Sequence, residues 1–371
     1  MDLYLKCGTQ IQGQNLTYSI KKVLGQGSFG ITYLATTKMK GPLGEVSVNV
    51  ALKEFFAKDF NERNADGSIP EHSSKSIVYR YGKDFQREAQ NLSKLKNPGI
   101  VNVLESFEAN GTYYYSMEYI EGETLDAYIC KKGHLSEPEA IEAIRSIAVS
   151  VKAMHSQKML HLDLKPKNVM RREDGELLLI DFGLSKQYEE NGEPESSTSI
   201  GLGTPGYSPI EQSQQNHSRE FSPTLDIYAL GATFYKMLTG QTPPTSSSIL
   251  NDGFPENVLR AHEISQNTID ACRKAMSPGK KDRPQSVEEF LKVLRGGNWE
   301  NDDGTNAEDT TPNVNYNKNT KSDKPQSYSS KRISVNDSDS SNGNVSNDWG
   351  WRIAIVMIFI AMIIFVIFAS N

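Results

Sequence analysis

From Leu16 to Val23 apolar and polar residues alternate, the period of a half-buried strand, and a glycine-rich turn follows. Ile31 to Ala35 is β-branched and aromatic, and Val46 to Phe56 is again strand-like. The stretch Ala57 to Ser76, polar and seeded with Asn, Asp, Gly and Pro, predicts an inserted loop. Between Asp84 and Leu95, Phe85, Ala89, Leu92 and Leu95 recur at helical spacing. Two further strands are expected over Val101 to Phe107 and Thr112 to Tyr119. Beyond Leu125 the period changes. Ala140, Ile141, Ile144, Ile147, Ala148, Val151 and Met154 make Pro138 to His155 a long amphipathic helix. Leu177 to Ile180 predicts a short buried strand, and helical patterns dominate from Leu225 to Leu294. The fold class is α+β: a small β-rich lobe with one helix, then a larger helical lobe.

The pattern stops at residue 296. Residues 297–348 are Asn-, Ser-, Asp-, Thr- and Lys-rich with almost no large apolar side chain, so burial cannot offset the entropy of ordering; a disordered polar linker is expected. Residues 351–369 reverse the composition. Ile353 to Ala369 has no charge, and as a helix would run about 25 Å, enough for one transmembrane helix. Trp349 and Trp351 suit the membrane interface and Arg352 can reach the headgroups. The expectation is a single-pass, C-terminal anchor in a lipid bilayer. Only Ser370 and Asn371 follow it, so no ectodomain is expected, and Met1 to Lys6 lacks the features of a signal peptide.

Net charge matters mainly by exclusion. At −6 over 371 residues the chain lacks the basic surplus of a nucleic-acid-binding protein. Cys7, Cys130 and Cys272 are far apart, which fits a reducing compartment with neither a disulfide framework nor a zinc site.

The chemistry gathers in a few strings. Gly25-Gln26-Gly27-Ser28-Phe29-Gly30 lies between two strands, where glycines let backbone N–H groups approach phosphates. A dinucleotide fingerprint would need a helix next, but Ile31 to Ala35 reads as strand. Lys53 closes the apolar run Val50-Ala-Leu. Asp163, Lys165 and Asn168 stand in His161-Leu-Asp-Leu-Lys-Pro-Lys-Asn168, and Asp181 opens Asp181-Phe-Gly183. Two acids and an amide this close are oxygen ligands for hard divalent cations.

Together and in this order, the strings resemble those of eukaryotic-type serine/threonine protein kinases, bacterial members above all, over residues 16–296. The resemblance implies a two-lobed kinase fold that binds ATP between the lobes with Mg²⁺, Mn²⁺ being an alternative. It implies Asp163 as catalytic base and Lys165 as neutraliser of the γ-phosphate. Asn168 and Asp181 would be the metal ligands. Gly25 to Gly30 would cover the phosphates, and Thr32 would stand where a valine usually packs on adenine. Lys53 would grip the phosphates and pair with Glu88 when the helix swings in, an assignment favoured over Glu71, which lies in polar loop sequence. Met117 would be the gatekeeper, with Glu118 and Ile120 offering hinge backbone to the base. By the same resemblance Thr204 sits near Asp163 and Lys165, Glu211 pairs with Arg283, and Asp226 braces the catalytic loop.

One departure stands out. The usual His-Arg-Asp is His161-Leu162-Asp163, and leucine cannot hold an activation-segment phosphate. Activity is therefore expected not to depend on phosphate at Ser196, Ser197, Thr198 or Ser199 through that contact. The leading function is a membrane-anchored serine/threonine kinase with protein substrates, its domain in the cytoplasm; membrane partners, dimerisation and local concentration are open alternatives for its regulation. A nucleotide-binding pseudokinase scaffold is the alternative from another class, and a small-molecule kinase the third.

Overall fold

The computed structural model describes residues 3–27, 30–41, 44–58, 60–70, 77–182, 186–187, 203–213 and 222–296. The linker 297–348, the apolar segment 351–369, Ser28, Phe29, Glu71, Gly183 and Ser196 to Ser199 lie outside the described residues. Among the described residues no helix is long and apolar enough to cross a membrane.

The small lobe is a twisted sheet built from β1 (Gln10–Gln12), β2 (Thr17–Gln26), β3 (Gly30–Gly41), β4 (Gly44–Phe55), β5 (Val103–Ala109) and β6 (Thr112–Glu118), in the order β1-β2-β3-β4-β6-β5. The period-two expectation holds along the central strand. Ala51 and Phe55 face α1 (Ile77–Lys94), where they meet Phe85, Ala89 and Leu92. Val50 and Leu52 face the other way, onto Tyr33, Phe107 and Tyr114.

Two features extend this lobe beyond the expected plan. The sheet starts before residue 16: β1 pairs with β2 and buries Ile11, and Leu5 reaches the same outer core. The stretch after β4, expected as a loop, does lack regular structure over 60–70, but it is packed. Asn61, Arg63 and Ile69 are buried there.

Beyond β6 the chain leaves the sheet at Tyr119 and enters the large lobe through β7 (Gly122–Thr124) and α2 (Leu125–Lys132), which Thr124 caps by accepting from Ala127 N at 3.1 Å. α3 (Glu137–Ser156) follows, then β8 (Met159–Leu160), a 3₁₀ turn at Pro166–Asn168, β9 (Val169–Arg172), β10 (Leu177–Leu179) and β11 (Lys186–Gln187). Sheets β10-β9-β7 and β11-β8 frame the loops that carry the site. After α4 (Ile210–Ser213) comes α5 (Thr224–Thr239), buried at every position and hence apolar on all sides rather than striped, with Asp226 and Lys236 as its buried charged residues. It packs on α3 and on α8 (Gln266–Ala275). The helices α6 (Ser246–Asp252), α7 (Glu256–Ala261) and α9 (Val287–Leu294) complete the lobe. A bridge from Ile100 to Leu179, with Val101 N donating to Leu179 O at 3.0 Å, ties the end of β10 to the small lobe.

Candidate active site

β4 supplies Lys53, whose ammonium crosses the cleft and donates to Asp181 Oδ1 at 2.7 Å. Asp181 lies just past β10, so the bridge at Leu179 fixes the height at which its carboxylate meets the small lobe. Burial disfavours the charge on Lys53. The carboxylate of Asp181, then Tyr115 and Glu88, outweigh that and hold its pKa well above the usual lysine range. Glu88 is itself buried at the cleft side of α1. The resemblance leads to an expectation of a Lys53–Glu88 pair; here the hydrogen bond of Lys53 goes to Asp181, and Glu88 acts on it as a neighbouring charge.

Gly25 and Thr32 face each other across β2 and β3, with Gln26 opposite Ile31, and Gly27 N donates to Gly30 O at 2.8 Å, so the two ends of the glycine stretch are held together by this hairpin. Gly30 packs directly on β4. A Cβ there would sit 3.0 Å from Glu54 O and 3.5 Å from Lys53 Cε, a tight approach that any side chain would have to widen by a few tenths of an ångström. At the back, Ala51 pairs in register with Met117, and both are buried. Glu118 ends β6; its N–H donates to Asn102 O at 3.0 Å and its carboxylate accepts from Arg172 Nη2 at 3.0 Å. Burial raises the Glu118 pKa and Arg172 opposes the shift. Ile120 is buried in the connection between the lobes.

The loop between β8 and the 3₁₀ turn carries the reacting groups. Asp163 Oδ2 accepts from Lys165 Nζ at 2.7 Å and from Asn168 Nδ2 at 3.0 Å. Its Oδ1 accepts the Thr204 hydroxyl at 2.7 Å, and Thr204 Oγ1 accepts in turn from Lys165 Nζ at 2.7 Å. Carboxylate, ammonium and hydroxyl therefore close a ring, and Asp163 is held in one orientation. Asn168 also donates to Asp163 O at 2.8 Å, which turns its amide nitrogen toward Asp163 and leaves the carbonyl oxygen as the atom for a cation. Asp181 and Asn168 thus offer a carboxylate and an amide oxygen. Among the described residues there is no cluster of three or more His, Cys, Asp or Glu that would enclose a metal. One or two carboxylates with phosphate oxygens suffice for Mg²⁺, so the donor set fits that ion shared with a nucleotide.

Beneath the loop sits Asp226, fully buried on α5. It accepts from His161 N at 2.9 Å, Leu162 N at 2.9 Å and His155 Nε2 at 2.8 Å. Burial alone would raise its pKa; the His155 hydrogen bond and charge, with His161, outweigh that and lower it. Leu162 needs the support, because its φ is +64°, in the left-handed region that leucine avoids. Gln212 Nε2 donates to Leu162 O at 2.7 Å. The Glu211–Arg283 pair is bidentate, at 2.6 and 3.1 Å, with Arg283 completely buried. Neither His155 nor Gln212 is marked by any string in the sequence; both act at long range in the chain.

A family model for the protein kinase domain matches residues 18–295. The chain belongs to the protein kinase family. A small β-rich lobe above a helical lobe is the fold of that family, and the solved structure described as PpkA-294 apo form agrees: TM-score 0.63, 26% identity, 79% of this chain and all of that one covered. Among curated relatives, serine/threonine-protein kinase F of Synechocystis is 29% identical over 289 residues, covering 74% of this chain and 54% of its own. Serine/threonine-protein kinase PknA of Nostoc is 29% identical over 288 residues, covering 76% and 47%. PrkC of Bacillus subtilis is 30% identical over 236 residues, 64% of this chain and 32% of that one. The chain spans about half the length of the first of these relatives, and the kinase domain is the shared part.

Proposed function

We propose that this kinase domain transfers the γ-phosphate of ATP to serine or threonine hydroxyls of proteins. The observation that carries the reading is the closed ring of Asp163, Lys165 and Thr204, each contact 2.7 Å, with Asn168 and Asp181 beside it. In this reading Asp163 orients the acceptor hydroxyl and takes its proton. The hydroxyl oxygen bonds to the γ-phosphorus as the bond to the β-phosphate oxygen breaks, and ADP leaves. Lys165 balances charge on the transferred group, while Lys53 and the Gly25 to Gly30 turn hold the phosphates. Asn168 and Asp181 would hold Mg²⁺, or Mn²⁺, which supplies charge neutralisation of the phosphates. Ala51, Met117 and the Glu118–Ile120 backbone would receive the adenine.

The anchor belongs to the same proposal. The uncharged run Ile353 to Ala369 would hold the chain in a cell membrane with the domain on the ATP-containing side, the cytoplasm. Tethering would raise the effective concentration of membrane-bound substrates. Bacterial signalling is the setting that the Synechocystis, Nostoc and Bacillus relatives support.

The test is radiolabel transfer from γ-labelled ATP with Mg²⁺, followed by phosphoamino-acid analysis, beside Asp163→Asn. Label on serine or threonine, lost in the variant, is expected. Magnesium-dependent nucleotide binding with no transfer would point instead to a scaffold.

A further inference from the structure

On the outer face of the small lobe, directly behind Lys53, lies a buried polar cluster that no kinase chemistry requires. Glu54 is the next residue on β4, so its side chain points away from the cleft, and it is wholly buried. Its carboxylate accepts from Arg63 Nη1 at 3.0 Å, Arg63 Nη2 at 2.6 Å, Tyr33 OH at 2.9 Å and Tyr114 OH at 2.5 Å. Two further donors of Arg63 go to backbone: Nη1 to Gly67 O at 2.9 Å and Nε to Leu3 O at 3.2 Å. Tyr33 OH in turn accepts from Leu5 N at 3.2 Å, and the guanidinium lies 5.1 Å from the centre of the Phe56 ring. Arg63 keeps its charge strongly: burial opposes it, and the hydrogen bond and charge of Glu54 outweigh the opposition.

Three separate pieces of chain meet at this ion pair: the strand that carries Lys53, the 60–70 segment and the N-terminal residues 3–5. A buried pair of this kind is a poor source of stability, since removing two charges from water costs as much as their attraction returns. Its effect is to fix geometry. Glu54 cannot shift along or rotate about the strand without breaking four hydrogen bonds. Lys53, one residue away, is fixed by the same backbone. Gly30 rests on the carbonyl of Glu54, so the end of the glycine turn is referred to the same point.

We propose that Arg63, through Glu54, is a positioning residue for the nucleotide grip of Lys53 and the glycine turn, and that residues 3–12 and 60–70 form a clamp built for that purpose. The proposal rests on the reading of Lys53 as the phosphate-binding lysine. A merely structural role and a positioning role separate kinetically. Loss of folded protein lowers apparent kcat and leaves KM alone; a displaced Lys53 raises KM for the nucleotide.

The full-length chain should be compared with Arg63→Met, Arg63→Lys and Tyr114→Phe. Steady-state phosphotransfer with varied Mg-ATP and equilibrium Mg-ATP binding would be measured on each. Arg63→Met is expected to raise KM and Kd for ATP about tenfold or more with kcat within about threefold. Arg63→Lys, which keeps charge but cannot span Leu3 O, Gly67 O and both Glu54 oxygens, should fall between. Tyr114→Phe removes one hydrogen bond and leaves the packing; a two- to fourfold rise in Kd is expected, and it carries the test if Arg63→Met does not fold. Unchanged ATP affinity in the folded variants overturns the proposal while wild-type transfer leaves the kinase reading standing. Wild-type binding without transfer, with affinity falling in the variants, supports the clamp and removes the catalytic reading. No nucleotide binding by the wild type overturns both.

Discussion

Asp226→Asn tests whether a buried carboxylate is what keeps the catalytic loop in a conformation it would otherwise leave. Asp226 offers two oxygens, one to Leu162 N and the other to His161 N and His155. Asparagine offers one oxygen and an NH₂ group, so one of the two backbone N–H groups must face a donor. An unsatisfied buried donor costs about 1–3 kcal/mol, and the surviving bond loses its charge assistance, for a total of about 2–4 kcal/mol. Against this stands the strain at Leu162: holding a non-glycine residue at φ +64° costs about 1–3 kcal/mol. Once the support is removed, the cheapest relaxation is rotation at Leu162, and the next residue is Asp163. A displacement of the base by an ångström costs turnover on the order of 10²-fold.

Urea unfolding followed by intrinsic fluorescence gives the stability change, and phosphotransfer at saturating ATP and substrate gives the turnover change. Both should fall together. The pH dependence adds a signature. The carboxyl of Asp226 has a folded-state pKa below its unfolded value, so its contribution is complete above about pH 4 and is lost as pH falls through the lower folded-state value. The acid limb of the stability curve should therefore be shallower in Asp226→Asn. Wild-type turnover in a variant that has lost the expected stability, or a loss under about 0.5 kcal/mol with unaltered turnover, would refute the link between support and strain.

Three other outcomes follow from the site. Leu162 is buried where the family usually places an arginine, so phosphatase treatment should leave turnover within about twofold, which the treated and untreated full-length chains compare directly. His161 is buried with its pKa lowered by desolvation, against the charges of Asp226, Asp163 and Asp181. The unfolded chain then takes up the proton first, and stability should drop as pH falls below about 6.5; melting temperature should fall more steeply with pH in wild type than in His161→Gln there, and equal slopes would refute it. Gly30→Ala should weaken ATP binding, since a Cβ 3.0 Å from Glu54 O requires a shift of a few tenths of an ångström between β3 and β4; nucleotide titration checks it, and unchanged affinity would refute it.

What could be read from the chain and what could not divide along a physical line. Strand alternation and the α3 stripe are local, and they place β2, β4 to β6 and the helical lobe within a few residues, while β3 runs well past its expected end at Ala35, to Gly41. Asp163, Lys165 and Asn168 are also local: a single 3₁₀ turn returns the Asn168 amide to the Asp163 carboxylate only five residues back. The pairing of Lys53 with Asp181 is not local, for 128 residues separate them and only sheet order and the Ile100–Leu179 bridge bring them together. The resemblance names Glu88 as the partner of Lys53 when the helix swings in, and no periodicity could show that Asp181 takes the hydrogen bond here. Residues 60–70 are the irregular segment that was expected, but their packing was not legible. Asn, Arg, Asp and Gly have the composition of a solvated loop, and a buried arginine is legible only once its carboxylate is seen behind it. Polar composition measures how many hydrogen bonds a segment must make, not whether water or protein makes them. Where protein makes them all, as at Glu54 and at Asp226, a polar residue constrains backbone more tightly than an apolar one. Both of these acids lie one contact from a residue of the candidate site.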